Sequence, residues 1–156
     1  MSDRTDLIAQ MKNRALIYLE MYDVLAEELG APKAEALLTR AIYRRGLQMG
    51  APLRKFAPKD LAGLRGAFLA NVPGGREIFQ PQVLKDEAGA LDIQLHGCPL
   101  KDAWREAGLP EEKVATLCRI AGAVDQGLFE GAGFRFENRT WTPGAKGCCF
   151  LSIRPG

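Results

Sequence analysis

Ala90-Leu91-Asp92-Ile93-Gln94-Leu95-His96-Gly97-Cys98-Pro99-Leu100-Lys101-Asp102-Ala103-Trp104 changes its period partway through. Leu91, Ile93 and Leu95 alternate with polar neighbours, the two-residue period of a half-buried strand. Gly97 permits a sharp turn, and Pro99 stands where the first residue of a helix would. A strand that hands over to a helix within four residues therefore sits at the centre of the second half of the chain. Upstream, Glu77-Ile78-Phe79-Gln80 and Gln82-Val83-Leu84-Lys85 read as short strand pieces interrupted at Pro81, which points to an edge strand or a bulge. Asp86-Glu87-Ala88-Gly89 turns that chain back into the central strand. Downstream, the short helix after Pro99 is followed by a longer one from about Glu111 to Glu130, ended by Gly131-Ala132-Gly133. Phe134–Glu137 and Cys149–Ile153 are the last two expected strands, joined by a loop holding Pro143, Gly144 and Gly147.

The first half has a different period. Ile8, Met11, Ala15, Tyr18, Tyr22, Leu25 and Leu29 step by three and four, one continuous helical face that Leu16 and Leu19 widen towards ordinary core burial. Gly30 ends that helix and Pro32 opens the next, which carries Ala34, Leu37, Leu38, Ala41, Ile42 and Met49 and stops near Gly50-Ala51-Pro52. A third helix from about Pro58 to Ala70 shows Leu61, Leu64 and Phe68 on one face, and Asn71-Val72-Pro73-Gly74-Gly75 breaks it. The expected fold is α+β: N-terminal helices, then a β-β-α-α-β-β unit with a mostly antiparallel sheet of about four strands. Its 156 residues form a single domain, with a helical half over 1–72 and a sheet-containing half over 73–156.

Composition narrows the function classes. At 47% hydrophobic and 26% charged the chain has globular usage, which excludes disordered and fibrous classes. A net charge of +2 supplies no overall field to draw it onto nucleic acid or an anionic membrane. No apolar run approaches the roughly 20 residues that span a bilayer, and the start, Met-Ser-Asp-Arg-Thr-Asp, shows no apolar leader. A cytoplasmic protein is expected, so Cys98, Cys118, Cys148 and Cys149 are read as thiols. Because neighbouring strand residues point to opposite faces, one of Cys148 and Cys149 is expected to face the core and the other to face away.

Three segments hold residues suited to chemistry. Cys98 falls at the expected helix N-cap, facing unsatisfied N–H groups and the positive end of the helix dipole, which lowers a thiol pKa. His96, the one histidine, lies two residues away, placed to donate to that sulfur, to pass a proton to a leaving nitrogen, or simply to cap the end of a strand. Cys118, Ala121, Gly122 and Asp125 share one face of the long helix, and that face is small enough for a backbone or a ligand to come close. A carboxylate there needs a partner, either a donor within the fold or a cationic, amidine-like substrate. Gly144-Ala145-Lys146-Gly147-Cys148-Cys149-Phe150 lacks phosphate-loop spacing and reads as the start of a hairpin strand.

Metal and nucleic-acid readings are weaker. His96, Cys98, Cys118 and Cys148 are soft ligands, but there is no C-x₂-C pair and no second histidine, so no cofactor is called for. Arg40, Arg44, Arg45, Arg54, Lys55, Lys59 and Arg65 stand against the single acid Asp60, and read as a solvated face or as a rim that attracts a carboxylate.

Taken together, these pieces resemble the L-2-amino-thiazoline-4-carboxylic acid hydrolase family. The likeness begins with Tyr22-Asp23-x-Leu25, Leu29-Gly30 and Ala41-x₄-Gly46. It is most specific at Cys98-Pro99-Leu100-x₂-Ala103-x₃-Ala107-Gly108-Leu109-Pro110, then at Leu117-Cys118, Asp125, Arg139-Thr140-x-Thr142-x-Gly144 and Cys148-x-Phe150. The resemblance implies a hydrolase that opens a small cyclic amidine-like ring by attack at the ring C=N carbon, as in conversion of aminothiazoline carboxylate to N-carbamoyl-cysteine. It implies activity on carbon–nitrogen bonds, with Cys98, Cys118, Asp125 and Cys148 as the matching positions. On that expectation Cys98, His96 and Asp125 are catalytic, and Cys118, Cys148 and Gly122 bind a small substrate that bears a carboxylate. The alternatives are a non-catalytic small-ligand sensor on the same domain, or a homodimer or scaffold built on the first helix.

Overall fold

Helical periodicity in the first half becomes three helices in the computed structural model, which describes residues 3–156. Met1 and Ser2, part of the start read above for a leader, lie outside the described residues. Helix α1 spans Asp3–Leu29 and buries Met11, Ala15 and Leu19, with Ile8, Tyr18, Tyr22 and Leu25 packed alongside. Leu16 corrects the expectation of a wider stripe: one residue past Ala15 it is turned about 100° off the buried face and stays exposed. Gly30, at φ 88°, ends α1 in the left-handed region that favours glycine, and α2 (Ala31–Gly50) follows at once. A 3₁₀ turn (Ala51–Phe56) leads to α3 (Leu61–Ala70). Helix α3 begins later than its sequence suggested because Asp60 caps it, accepting a hydrogen bond from the Gly63 N–H at 2.9 Å. No helix among the described residues is long and apolar enough to cross a membrane.

Four antiparallel strands follow the expected order β-β-α-α-β-β. They are β1 (Pro81–Glu87), β2 (Ala90–Leu95), β3 (Arg135–Arg139) and β4 (Phe150–Arg154), arranged β1-β2-β4-β3, with α4 (Pro99–Glu106) and α5 (Glu111–Gly131) between β2 and β3. Strand β1 is an edge strand with a register shift between Val83 and Lys85, as Pro81 suggested. Glu77–Gln80 is not strand but turn: Gln80 has φ 50°, and the Phe79 carbonyl accepts from the His96 and Gly97 amides, each at 3.0 Å. Gly97 owes its glycine to close approach, since a Cβ there would run into the Ile78 carbonyl.

Two cores result. One joins α1, α2, α4 and most of α5, and is tied across by Trp104 Nε1, which donates to the Ala15 carbonyl at 2.8 Å. The other sits between one sheet face (Leu91, Ile93, Leu151, Ile153) and α3 with the end of α5, where Phe129 stacks on Phe136 at 4.8 Å. Helices α2 and α5 cross with backbone on backbone. Gly46 and Gly50 of α2 meet Gly127 and Gly131 of α5, so that a Cβ on Gly46 would fall 2.9 Å from Gly127 Cα. This crossing holds the C-terminal half of α5 between both cores.

Candidate active site

A cavity of about 730 Å³ lies where the two cores meet. Cys98 and Phe79 pack against both cores and stand at the join. The wall takes Arg14 and Tyr18 from α1, Arg45 and Met49 from α2, Trp104 from α4, and Cys118, Gly122 and Asp125 from α5. Cys98 comes from the β2–α4 turn, and Cys148 and Cys149 from the chain just before β4. Most of the remaining lining is apolar, supplied by Phe68, Val72, Leu95 and Leu128.

Cys98 is the N-cap of α4, and its carbonyl accepts the first helical bond from Asp102 at 3.1 Å. The expected thiolate does not follow. A hydrogen bond with Cys148, and then burial, push the Cys98 thiol well above its ordinary range, while the Leu100 and Lys101 amides pull the other way and lose. The dipole of a two-turn helix is outweighed by a low-dielectric, sulfur-lined setting. Cys118 is likewise pushed up to about 12, chiefly by burial. These sulfurs are neutral thiols near pH 7.

Cys148 and Cys149 also depart from expectation. Both are buried and both line the same cavity, their sulfurs 3.2 Å apart. The reason is local geometry. Cys148 N–H donates to the Leu95 carbonyl and Leu95 N–H donates to the Cys149 carbonyl, each at 2.8 Å, so two consecutive residues face one partner residue. Such a bulge breaks the strict alternation of a strand and re-aims side chains. Strand β4 begins only at Phe150, one residue later than expected. Lys101, itself buried, fixes the approach by donating to the Gly147 carbonyl at 2.7 Å with its ammonium over the Trp141 ring. Replacing Lys101 with Met should raise amide exchange at Gly147–Phe150 about 10-fold or more, the worth of one charge-assisted hydrogen bond, as hydrogen-exchange mass spectrometry would report.

The α5 face lies in the cavity as its spacing suggested. Asp125 carries a clear electrostatic signal there: burial alone raises its carboxyl to about 7, with no hydrogen bond or cation among the described residues offsetting it. Among the described residues no backbone N–H donates to Asp125, so the purely structural role that such a donor would give it does not apply. Gly122 serves packing as well as the cavity, because a Cβ there would come 2.7 Å from Thr140 Cγ2 and 2.9 Å from Asn138 Nδ2.

His96 is not among the residues lining the cavity. It is exposed, and its Nε2 pairs with the Gln82 side chain of β1 at 2.8 Å. Among the described residues no group of three or more His, Cys, Asp or Glu is arranged to hold a metal ion. Of the basic cluster, Arg45 reaches the cavity rim; Arg54 bonds the Gly131 carbonyl and Arg65 pairs with Asp86. Arg14 and Tyr18, one helical turn apart on α1, were missed by the sequence reading. Tyr18 reads as part of the apolar face of α1, and nothing in the α1 pattern marks Arg14 from other exposed charges.

The sequence model of a family described as L-2-amino-thiazoline-4-carboxylic acid hydrolase matches residues 10–151. No curated protein matches the chain. The matched span contains every residue named in the cavity wall.

Proposed function

Because the chain belongs to the L-2-amino-thiazoline-4-carboxylic acid hydrolase family, we propose that it opens a small carboxylated cyclic amidine by hydrolysis, with the cavity between the cores as the reaction chamber. The observation that carries this reading is the meeting of Asp125, the thiols and two arginines around one volume of about 730 Å³. That size suits a small ring with room for water. Neither Arg14 nor Arg45 is committed to an ion pair among the described residues, so both are available to a carboxylate.

The chemistry of the ring then sets the roles. Conversion of aminothiazoline carboxylate to N-carbamoyl-cysteine adds water to the ring carbon that bears both nitrogens and the sulfur. The carbon–sulfur bond breaks, both nitrogens stay on the carbon, and the sulfur departs as a thiol. No nitrogen leaves, so the proton that His96 was expected to deliver has no destination, and the bond cut is not carbon–nitrogen. Asp125, with a carboxyl near 7, attracts the protonated amidine when ionised and is poised to take a proton from the attacking water. The departing thiolate needs a proton from a neighbouring group that still holds one near pH 7. Cys98, kept protonated by Cys148 and by burial, is the donor we assign. Cys118 and Cys148 are the flanking soft surface for the ring sulfur, with Gly122 leaving space on the α5 side.

The arginines give the test. Arg45→Ala or Arg14→Ala should raise KM for the carboxylated ring about 10- to 100-fold while kcat changes little, the signature of lost uniform binding. Turnover of the ring lacking its carboxylate should not respond to either change. An unaltered KM for the carboxylated ring in both variants would contradict this placement of the substrate. A second reading, a non-catalytic ligand-binding domain, draws support from one observation, the protonated state of Cys98. Binding of the ring without any turnover would decide for it.

A further inference from the structure

The bulge before β4 does something that ring hydrolysis does not require. It brings two consecutive cysteines to the same cavity wall with their sulfurs 3.2 Å apart, and a third thiol, Cys98, lines the same cavity. Hydrolysis needs at most one proton donor, and adjacent thiols on a regular strand would have pointed to opposite faces. All four cysteines are free.

We propose that Cys148 and Cys149 form a two-sulfur capture site for trivalent arsenic compounds with two exchangeable bonds to oxygen, reached through the cavity. An element that accepts two thiols at adjacent positions matches a pair of sulfurs already in contact, and it needs neither a third protein ligand nor a metal-ion geometry. The step balances without redox change. With an organoarsenous oxide, two arsenic–sulfur bonds form and the arsenic–oxygen double bond breaks. The oxygen leaves as water carrying both thiol protons, and arsenic stays trivalent. The second bond closes within one molecule, so its effective concentration is high and the adduct is held far more firmly than one made through a single sulfur. The captured group fills the wall beside Cys98 and blocks the cavity.

The probe is phenylarsine oxide on the full chain, read by intact mass. Wild-type protein should retain one phenylarsenic group per chain in excess monothiol and release it to a 1,2-dithiol. Cys149→Ser and Cys148→Ser should each lower retention on the order of 100-fold. Peptide mapping of the wild-type adduct should find it on the segment that contains Cys148 and Cys149, a readout that does not depend on either variant folding. Loss of the adduct to monothiol, retention undiminished in both variants, or an adduct mapped to Cys98 or Cys118 would each overturn the proposal.

Discussion

Gly127→Ala should lower the stability of the fold by about 3 kcal/mol, whereas Gly66→Ala should raise it by about 0.5–1 kcal/mol. Both glycines are helical, so helix propensity favours alanine at each. What separates them is the space a Cβ would enter. At Gly66 there is nothing within 4 Å. At Gly127 the new carbon runs into the Tyr43 carbonyl and lies 2.9 Å from both Gly46 Cα and Leu47 N, all on α2. Backbone cannot rotate away as a side chain would, so α2 and α5 must separate and both cores loosen. Asp125 sits on α5 one half-turn before that crossing. A destabilised Gly127→Ala protein should therefore also lose activity well below its unfolding midpoint. Equal and small effects at the two sites in denaturant unfolding would mean that the helices do not meet as described.

Asp125→Asn should cut kcat/KM by roughly 10²- to 10⁴-fold, the range for loss of a positioned proton acceptor. The same change should make the protein more stable at alkaline pH. Burial raises the Asp125 carboxyl from 3.8 to about 7. The folded protein thus keeps a proton that the unfolded chain gives up first, and the stability that comes from holding it is complete below pH 4. That stability is lost as pH rises through 7. Asparagine removes the loss, so the variant should gain on wild type by at most roughly 4 kcal/mol at about pH 8 and by little at about pH 4. Wild-type activity should climb through pH 7 as the carboxyl ionises. A residue that is less active and more stable when neutralised is one held at a cost for its chemistry.

Much of this was legible in the residues themselves. Period decided the elements: the three-four steps of α1, the alternation of Leu91, Ile93 and Leu95, and the Gly97–Pro99 handover all became what they resembled. The spacing of Cys118, Gly122 and Asp125 named the cavity face of α5. Failures came where contacts distant in sequence override local rules. Cys98 occupies the N-cap that its neighbours suggested, yet its thiol is governed by Cys148, fifty residues away. Alternation separated Cys148 from Cys149 only on paper, because Leu95 pairs with both. His96 turned outward to Gln82, with its backbone held by the Phe79 carbonyl of the turn that precedes β1. Two Gly-x₃-Gly pairs, Gly46/Gly50 and Gly127/Gly131, stood in plain view and carried a packing message that hydrophobic periodicity does not encode.

Carbon NMR on an aminothiazoline carboxylate labelled at the carbon between its nitrogens and sulfur tests the central claim most directly. With wild-type protein the amidine carbon should become a ureido carbon while one free thiol appears per ring, and Asp125→Asn should leave the ring intact over the same period. Release of ammonia in place of a thiol, or equal conversion by wild type and Asp125→Asn, would contradict the account.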